Sequence, residues 1–274
     1  MSLQIAQQGV GIMSSSSSYM GAQPKWVSNG IWYKRDLIGG EAVAETLVSL
    51  FLSSCLNTSE FEAGFVPYKI SPKDGRVCCS PSFLREGETF VPLHTVMTSF
   101  KTKWSKHTDF EGKFNYIDSV YKEVLGYSCK RWLLRVLTLD IMFRNTDRHL
   151  SNLGFIADRR GNLRPAPIFD NGLAIGVSEG TYYDLSNTIT GLGFKIKPYE
   201  LTIGYLNKYI DPSYFAFSVV QFIERFKRES IPKNKVSLAF LNILVKYYPK
   251  DAQGLDTKEV LVSHLGYFSS KRFM

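Results

Sequence analysis

The segment Trp132 to Phe143 is apolar enough to be buried, and it runs straight into Arg144-Asn145-Thr146-Asp147-Arg148-His149-Leu150-Ser151-Asn152. This junction constrains the chain most. A helix that must be buried delivers an aspartate, a histidine and an asparagine to its end, where polar groups need partners. A second apolar run, Pro165 to Phe169, ends in Asp170-Asn171-Gly172. Asp147 and Asn152 are five positions apart, a spacing used for phosphoryl transfer, in which the aspartate accepts a hydroxyl proton and the asparagine holds Mg²⁺. Asp170 then stands where a second metal carboxylate is needed, at a strand end before a glycine.

Three readings of these residues compete. Phosphoryl transfer is the first. The second is a metal-dependent hydrolase built from Asp147, His149 and Asp170. Such a site calls for several His or carboxylate ligands, and the four histidines include His94, His107 and His264, which form no ligand-spaced cluster. The third is a structural loop capped by Asx side chains. No G-x-S-x-G turn supports a nucleophile triad.

The order of the other elements favours the first reading. Trp26-Val27 and Ile31-Trp32-Tyr33 flank Ser28-Asn29-Gly30, a hairpin signature, and the second strand ends at Lys34. A lysine there can hold α- and β-phosphates; a solvated surface lysine is the alternative. A helix over Gly40 to Ser54 follows, its apolar face made by Val43, Ala44, Leu47, Leu50 and Phe51. Glu41 and Glu45 lie one turn apart on another face, and the residues leave open which of them pairs with Lys34. Strands are expected over Phe61–Ile70 and Arg76–Cys79, then a hinge Ser80-Pro81-Ser82-Phe83-Leu84 in which Cys79 or Phe83 walls a base. Beyond it, periodicity predicts helices over Phe114–Tyr127, Cys129–Phe143, Tyr214–Arg228, Lys235–Tyr248 and Thr257–Ser269. A hairpin pairs Leu153–Ala157 with Leu163–Phe169. Upstream, five serines (Ser14 to Ser18) form either a flexible linker or a phosphate-cradling loop.

Composition sets the outer bounds. In 274 residues, 44% hydrophobic and 14% aromatic content support a sizeable core. The net charge of +8 favours acidic partners such as nucleotides. Lys and Arg are spread along the chain, so direct nucleic-acid binding is not expected. Cys55, Cys78, Cys79 and Cys129 lack metal-site spacing and read as reduced thiols. No signal peptide and no apolar run near ~18 residues is present. A cytoplasmic protein without membrane insertion is expected, though secretion without a signal peptide would leave no mark.

Gly21-Ala22-Gln23-Pro24-Lys25, then Lys34, Asp147-Arg148-His149-Leu150-Ser151-Asn152 and Phe169-Asp170 together resemble the HipA-like kinases, whose loop has the form D-x-H-x-x-N. The resemblance spans nearly the whole chain. It implies an α+β, bilobal protein-kinase-like fold, with a small β-rich lobe over residues 1–84 and a helical lobe over 85–274. It implies an ATP- and Mg²⁺-dependent serine/threonine kinase acting on a protein substrate. Asp147 would be catalytic, with Asn152 and Asp170 holding Mg²⁺. Ser18, Tyr19, Met20, Gly21, Ala22 and Gln23 would form the nucleotide loop, with Lys34, Glu41, Ser80, Phe83 and His149 completing the nucleotide site. Glu41 matches the family's helix glutamate, and His149 is expected to brace the loop. Such kinases can phosphorylate their own nucleotide loop, which points to Ser16 or Ser18. A toxin with an antitoxin, a kinase with a small companion protein, and an effector are all compatible with the compact length. A lipid kinase and a silent kinase-fold binding protein are the alternatives.

Overall fold

The computed structural model describes residues 23–100, 103–177, 195–197 and 199–265. The hairpin forms as the turn chemistry requires: β1 (Lys25–Ser28) and β2 (Ile31–Arg35) pair antiparallel about Asn29 and Gly30, with φ of 52° and 74°. Positive φ at both turn residues matches the twist of the strands it joins. β2 pairs next with β4 (Asp74–Pro81), which pairs with β3 (Lys69–Ser71), giving a four-stranded antiparallel sheet of order β1-β2-β4-β3. Residues 61–68 form no strand, contrary to the expectation. Their apolar side chains Phe61, Val66 and Tyr68 are buried by packing, and Phe65 makes only an isolated bridge to Ile168.

Helix α1 (Glu41–Ser53) packs on this sheet. Its first turn is satisfied from before the helix: Asp36 accepts from the Gly40 and Ala42 N–H groups, each at 2.7 Å. The sequence predicts one apolar face, but the structure buries α1 on all sides, including Glu41, Glu45, Thr46 and Ser49. C-terminal helices cover its other side. Phe51 at 0% exposure packs against Phe143 and Phe215 edge-on, Phe217 stacked and Tyr248 tilted, with centroids 5.0 to 5.7 Å apart.

A second sheet lies beneath. β5 (Thr89–Pro92), β6 (Gly154–Ala157) and β7 (Leu163–Pro165) pair antiparallel in that order. Gly154 is required here, because a Cβ would stand 2.3 Å from the Val91 carbonyl oxygen. The remainder is mainly helical: α2 (Leu93–Met97), α3 (Phe110–Leu125), α4 (Lys130–Met142), and, after the short pair β8 (Lys195–Ile196) and β9 (Leu201–Thr202), α5 (Ile203–Leu206), α6 (Val219–Arg228), α7 (Lys235–Tyr247) and α8 (Thr257–Leu265). Caps fix several ends. Asp109 accepts from Gly112 N–H before α3, Gly126 closes it at φ 84°, and Asn234 with Ser237 makes a capping box on α7. The architecture is α+β, a sheet-bearing N-terminal region followed by a helical one. No helix among the described residues is long and apolar enough to cross a membrane.

Candidate active site

A cleft between the two sheets encloses about 950 Å³, mouth included, and is lined by Lys25, Trp32 and Lys34 of the first sheet, Phe90 of the second, and Asn152 and Asp170 of loops beside it. Lys34 sits where β2 crosses α1. Its Nζ donates to Glu45 Oε1 at 2.6 Å and to Asp170 Oδ1 at 2.9 Å, and it lies 4.7 Å from the centre of the Tyr68 ring. Burial favours the neutral amine, but the two carboxylates outweigh it, and Lys34 is held well above its usual value. Asp170 shows the opposite balance. Burial pushes its carboxyl up, while Lys34 and Lys25 hold it well below the usual carboxylate range. Lys25 Nζ stands 3.9 Å from Asp170 Oδ2.

The glutamate that reaches Lys34 is therefore Glu45, not Glu41. Glu41 turns back on the loop before the helix, its two oxygens accepting from the N–H groups of Leu37, Ile38 and Gly39 at 2.8 to 2.9 Å. Glu45 does double duty, since its Oε2 accepts from the Asn171 N–H at 2.8 Å. One side chain thus ties Lys34 to the Asp170 loop. Burial raises Glu45 more than Lys34 lowers it. The loop comes this close because residue 172 is glycine, whose added Cβ would meet Glu41 Cβ at 3.3 Å. Asp170 itself adopts φ 61°, a conformation that Asp and Asn tolerate best among residues other than glycine.

The other half of the site hangs on Asp140, buried near the end of α4. Its carboxylate accepts from Asn145 Nδ2 at 3.0 Å and from Arg148, Nη2 at 3.0 Å and Nε at 3.1 Å. Arg148, 2% exposed, extends beyond the loop to donate to Asn171 Oδ1 at 2.6 Å and to the Phe169 carbonyl. The loop of Asp147 and the loop of Asp170 are therefore bolted together through one guanidinium. Within the first loop, the Asp147 carbonyl accepts from the N–H of His149 at 2.7 Å and from Asn152 Nδ2 at 3.3 Å. His149 Nδ1 accepts from the Ser151 N–H at 3.2 Å, which braces the loop. Asp147 Oδ1 receives Lys197 Nζ at 2.9 Å.

Of the residues singled out from sequence, Lys34, Ser80, Phe83, Asn152 and Asp170 line the same cleft; Asp147 and His149 are not among its lining residues. Phe83 stacks on Phe169 at 5.3 Å between centroids. Cys79 does not line the cleft. Ser14 to Ser18, Tyr19, Met20, Gly21 and Ala22 lie outside the described residues. Gln23 is described, and its buried Nε2 has no hydrogen-bond partner among the described residues. Sequence reasoning gave no role to Lys25 and Arg148, although both lie in the quoted motifs, and missed Trp32, Asp140, His94 and Lys197. Trp32 had a signal: two residues before Lys34 on a strand, it shares that lysine's face. His94 lines the cleft and meets Ser151 Oγ at 3.1 Å, although nothing in its spacing marks it.

No group of three or more His, Cys, Asp or Glu able to hold a metal occurs among the described residues. Asp170 and Asn152 offer two hard oxygen donors on one cleft wall. That set suits Mg²⁺, which takes one or two protein ligands and fills its octahedron with water and phosphate oxygens.

No protein-family model matches the chain, and no curated protein matches it. Solved structures do. The chain is similar to the proinflammatory kinase CtkA of Helicobacter pylori, with a TM-score of 0.57 at 13% identity, over 87% of this chain and 94% of that one. It is also similar to HipA of Shewanella oneidensis, solved with HipB and operator DNA. There the TM-score is 0.42 at 14% identity, over 99% of this chain and 66% of that one. The fold is that of the Helicobacter kinase CtkA.

Proposed function

We propose that this chain is an ATP- and Mg²⁺-dependent serine/threonine protein kinase. The observation that carries the reading is the convergence of Lys34, Asp170 and Asn152 in one cleft, with Lys34 bound from behind by the buried Glu45 and Asn152 on the loop that also bears Asp147. No surface ion pair needs this arrangement. A lysine kept charged in a buried site between two carboxylates is equipped to meet phosphate oxygens, and Glu45 would keep it in place were Asp170 to hold a metal. Bound Mg²⁺ would supply charge neutralisation across the phosphates, with Asp170 and Asn152 as its protein ligands. Trp32, Phe83 and Leu84 form apolar walls for the base. Asp147 orients the acceptor hydroxyl and takes its proton. Catalysis is then positioning plus electrostatic stabilisation.

We place the lobe boundary between residues 84 and 85; Ser80 and Pro81, expected in the hinge, belong to β4, so the connecting segment begins at Ser82. Phosphorylation of Ser16 or Ser18 by the kinase itself, and an antitoxin or small companion protein as partner, rest on the family resemblance. Intact-mass measurement of active protein and of Asp147→Asn tests the first.

The roles separate by calorimetric titration and transfer assay. Asp147→Asn abolishes phosphate transfer and leaves Mg²⁺-ATP affinity near wild type. Asp170→Asn weakens that affinity as well. Lys34→Ala removes a charge-assisted contact of roughly 1.5–3 kcal/mol to the nucleotide. Equal loss of nucleotide affinity in the Asp147 and Asp170 variants would overturn the assignment.

A further inference from the structure

Lys197 makes two ties to consecutive residues of the catalytic loop. Its Nζ donates to Asp147 Oδ1 at 2.9 Å, and its backbone N–H donates to the Thr146 carbonyl at 3.4 Å. It directly follows β8, which is held in register by β9 through Lys195↔Thr202 and Ile196↔Leu201. The hairpin therefore delivers a cation to the loop from a distant part of the chain. The side chain of Lys197 is 58% exposed and that of Asp147 33%. This side of Asp147 is open enough to admit a macromolecular acceptor.

An exposed lysine–carboxylate pair contributes little to stability, so stability does not account for its position. Chemistry does. A carboxylate has two oxygens, and engaging one with a cation leaves the other for the acceptor hydroxyl. As the phosphoryl group transfers, negative charge spreads over its equatorial oxygens. An ammonium on a four-carbon stem, already beside the base, can follow that charge.

We propose that Lys197 is a positioning residue for phosphoryl transfer. It orients Asp147 through Oδ1 and holds positive charge on the acceptor side of the site, opposite Lys34 on the nucleotide side. The inference rests on the kinase reading above. In the step it supports, the acceptor oxygen forms a bond to the γ-phosphorus and its proton passes to Asp147. The bond from that phosphorus to the β,γ-bridging oxygen breaks, and its electron pair leaves with ADP. Lys197 keeps its proton throughout.

The test compares full-length wild type, Lys197→Met and Lys197→Arg, using Mg²⁺-ATP with dephosphorylated casein as acceptor. Phosphate incorporation and ADP release are both followed, and thermal melting is recorded for each protein. Lys197→Met is expected to lower kcat roughly a hundredfold. Its KM for ATP should stay within about twofold, because the lost interaction lies on the acceptor side. Lys197→Arg should recover most of the loss, and all three proteins should melt together. An unchanged kcat in Lys197→Met overturns the proposal. So does a rise in KM for ATP that matches the fall in kcat, or an arginine variant as impaired as the methionine one. A melting point that drops with activity in both variants assigns Lys197 a structural role instead. Wild type that neither releases ADP nor labels casein removes the kinase reading, and this inference with it; active wild type beside an unimpaired Lys197→Met removes the inference alone.

Discussion

On the side of the cleft proposed to hold the nucleotide, Lys34 is 8% exposed and lies within 2.9 Å of two carboxylates that are themselves tied to the backbone or to further cations. Outside the cleft's lining, Asp147, the proposed acceptor base, meets a lysine whose side chain is 58% exposed. The two halves follow different rules. A small, invariant ligand such as a triphosphate rewards a buried, preorganised site in which each charge is held from several directions. The proposed protein acceptor would come and go, and its hydroxyl is best met by groups at the surface. The buried half is costly to disturb because removing any member strips a buried charge of a partner; the open half is cheap in stability and sensitive in rate.

Glu45 and Glu41 put that contrast to its hardest test. Both are buried, at 0% and 3% exposure, one helical turn apart. Glu45→Ala strips Lys34 of one partner and leaves the Asn171 N–H without its acceptor. A loss of roughly 3 kcal/mol in stability is expected for breaking a buried ionic network, with phosphate transfer lost. Glu41→Ala releases three loop N–H groups that water can partly satisfy, and should cost about 1–2 kcal/mol with transfer largely kept. Urea denaturation paired with a transfer assay decides it. The same loss of activity from both would erase the distinction between the charge relay and the loop clamp.

These two residues also mark how far the sequence could be read. The Asn29-Gly30 hairpin, the helices around 41–53, 130–142 and 235–247 and the meeting of Lys34, Asn152 and Asp170 depend on local turn chemistry, periodicity and motif spacing. Glu41 and Glu45 share a helix face, and only the arrival of the Asp170 loop, 125 to 129 residues away along the chain, decides between them. Helix α1 reads as one-faced because nothing local reports that α6 and α7 will cover its back. Residues 61–68 look like a strand because Phe61, Phe65 and Val66 are apolar, yet they are buried by packing without a ladder. Arg148 carried no mark, since its partners Asp140, Phe169 and Asn171 come from three separate segments.

Gly154 tests how the buried half is supported from below. It follows Asn152 and Leu153 directly, and the added methyl of Gly154→Ala would overlap the Val91 carbonyl at 2.3 Å. β6 must then part from β5 and carry Asn152 with it. The expected cost is about 1–3 kcal/mol from overpacking, with weaker Mg²⁺-ATP binding. Gly126→Ala serves as the control, a glycine at φ 84° with nothing within 4 Å of an added Cβ. It should lose some stability through strain and keep nucleotide affinity. Equal affinity in the two variants, measured by calorimetry, would show that β6 does not transmit displacement to Asn152.

The smallest expected effect lies on the open half. His149 is depressed below its usual value chiefly because burial disfavours the imidazolium, although Asp147 and Asp170 pull the other way. Its Nδ1 already accepts from the Ser151 N–H, a role that requires the neutral ring. Between the depressed value in the folded protein and ~6.5 in the unfolded chain, the unfolded state binds the extra proton. Stability from this residue is therefore complete above ~6.5 and falls as pH drops towards the folded value, where the loss levels off. His149→Asn keeps an acceptor and removes the titration, so its stability should vary less than wild type's across that window. Urea midpoints at several pH values from 7.5 downwards measure the difference directly. Parallel pH profiles for the two proteins would mean that His149 is not the group that titrates there.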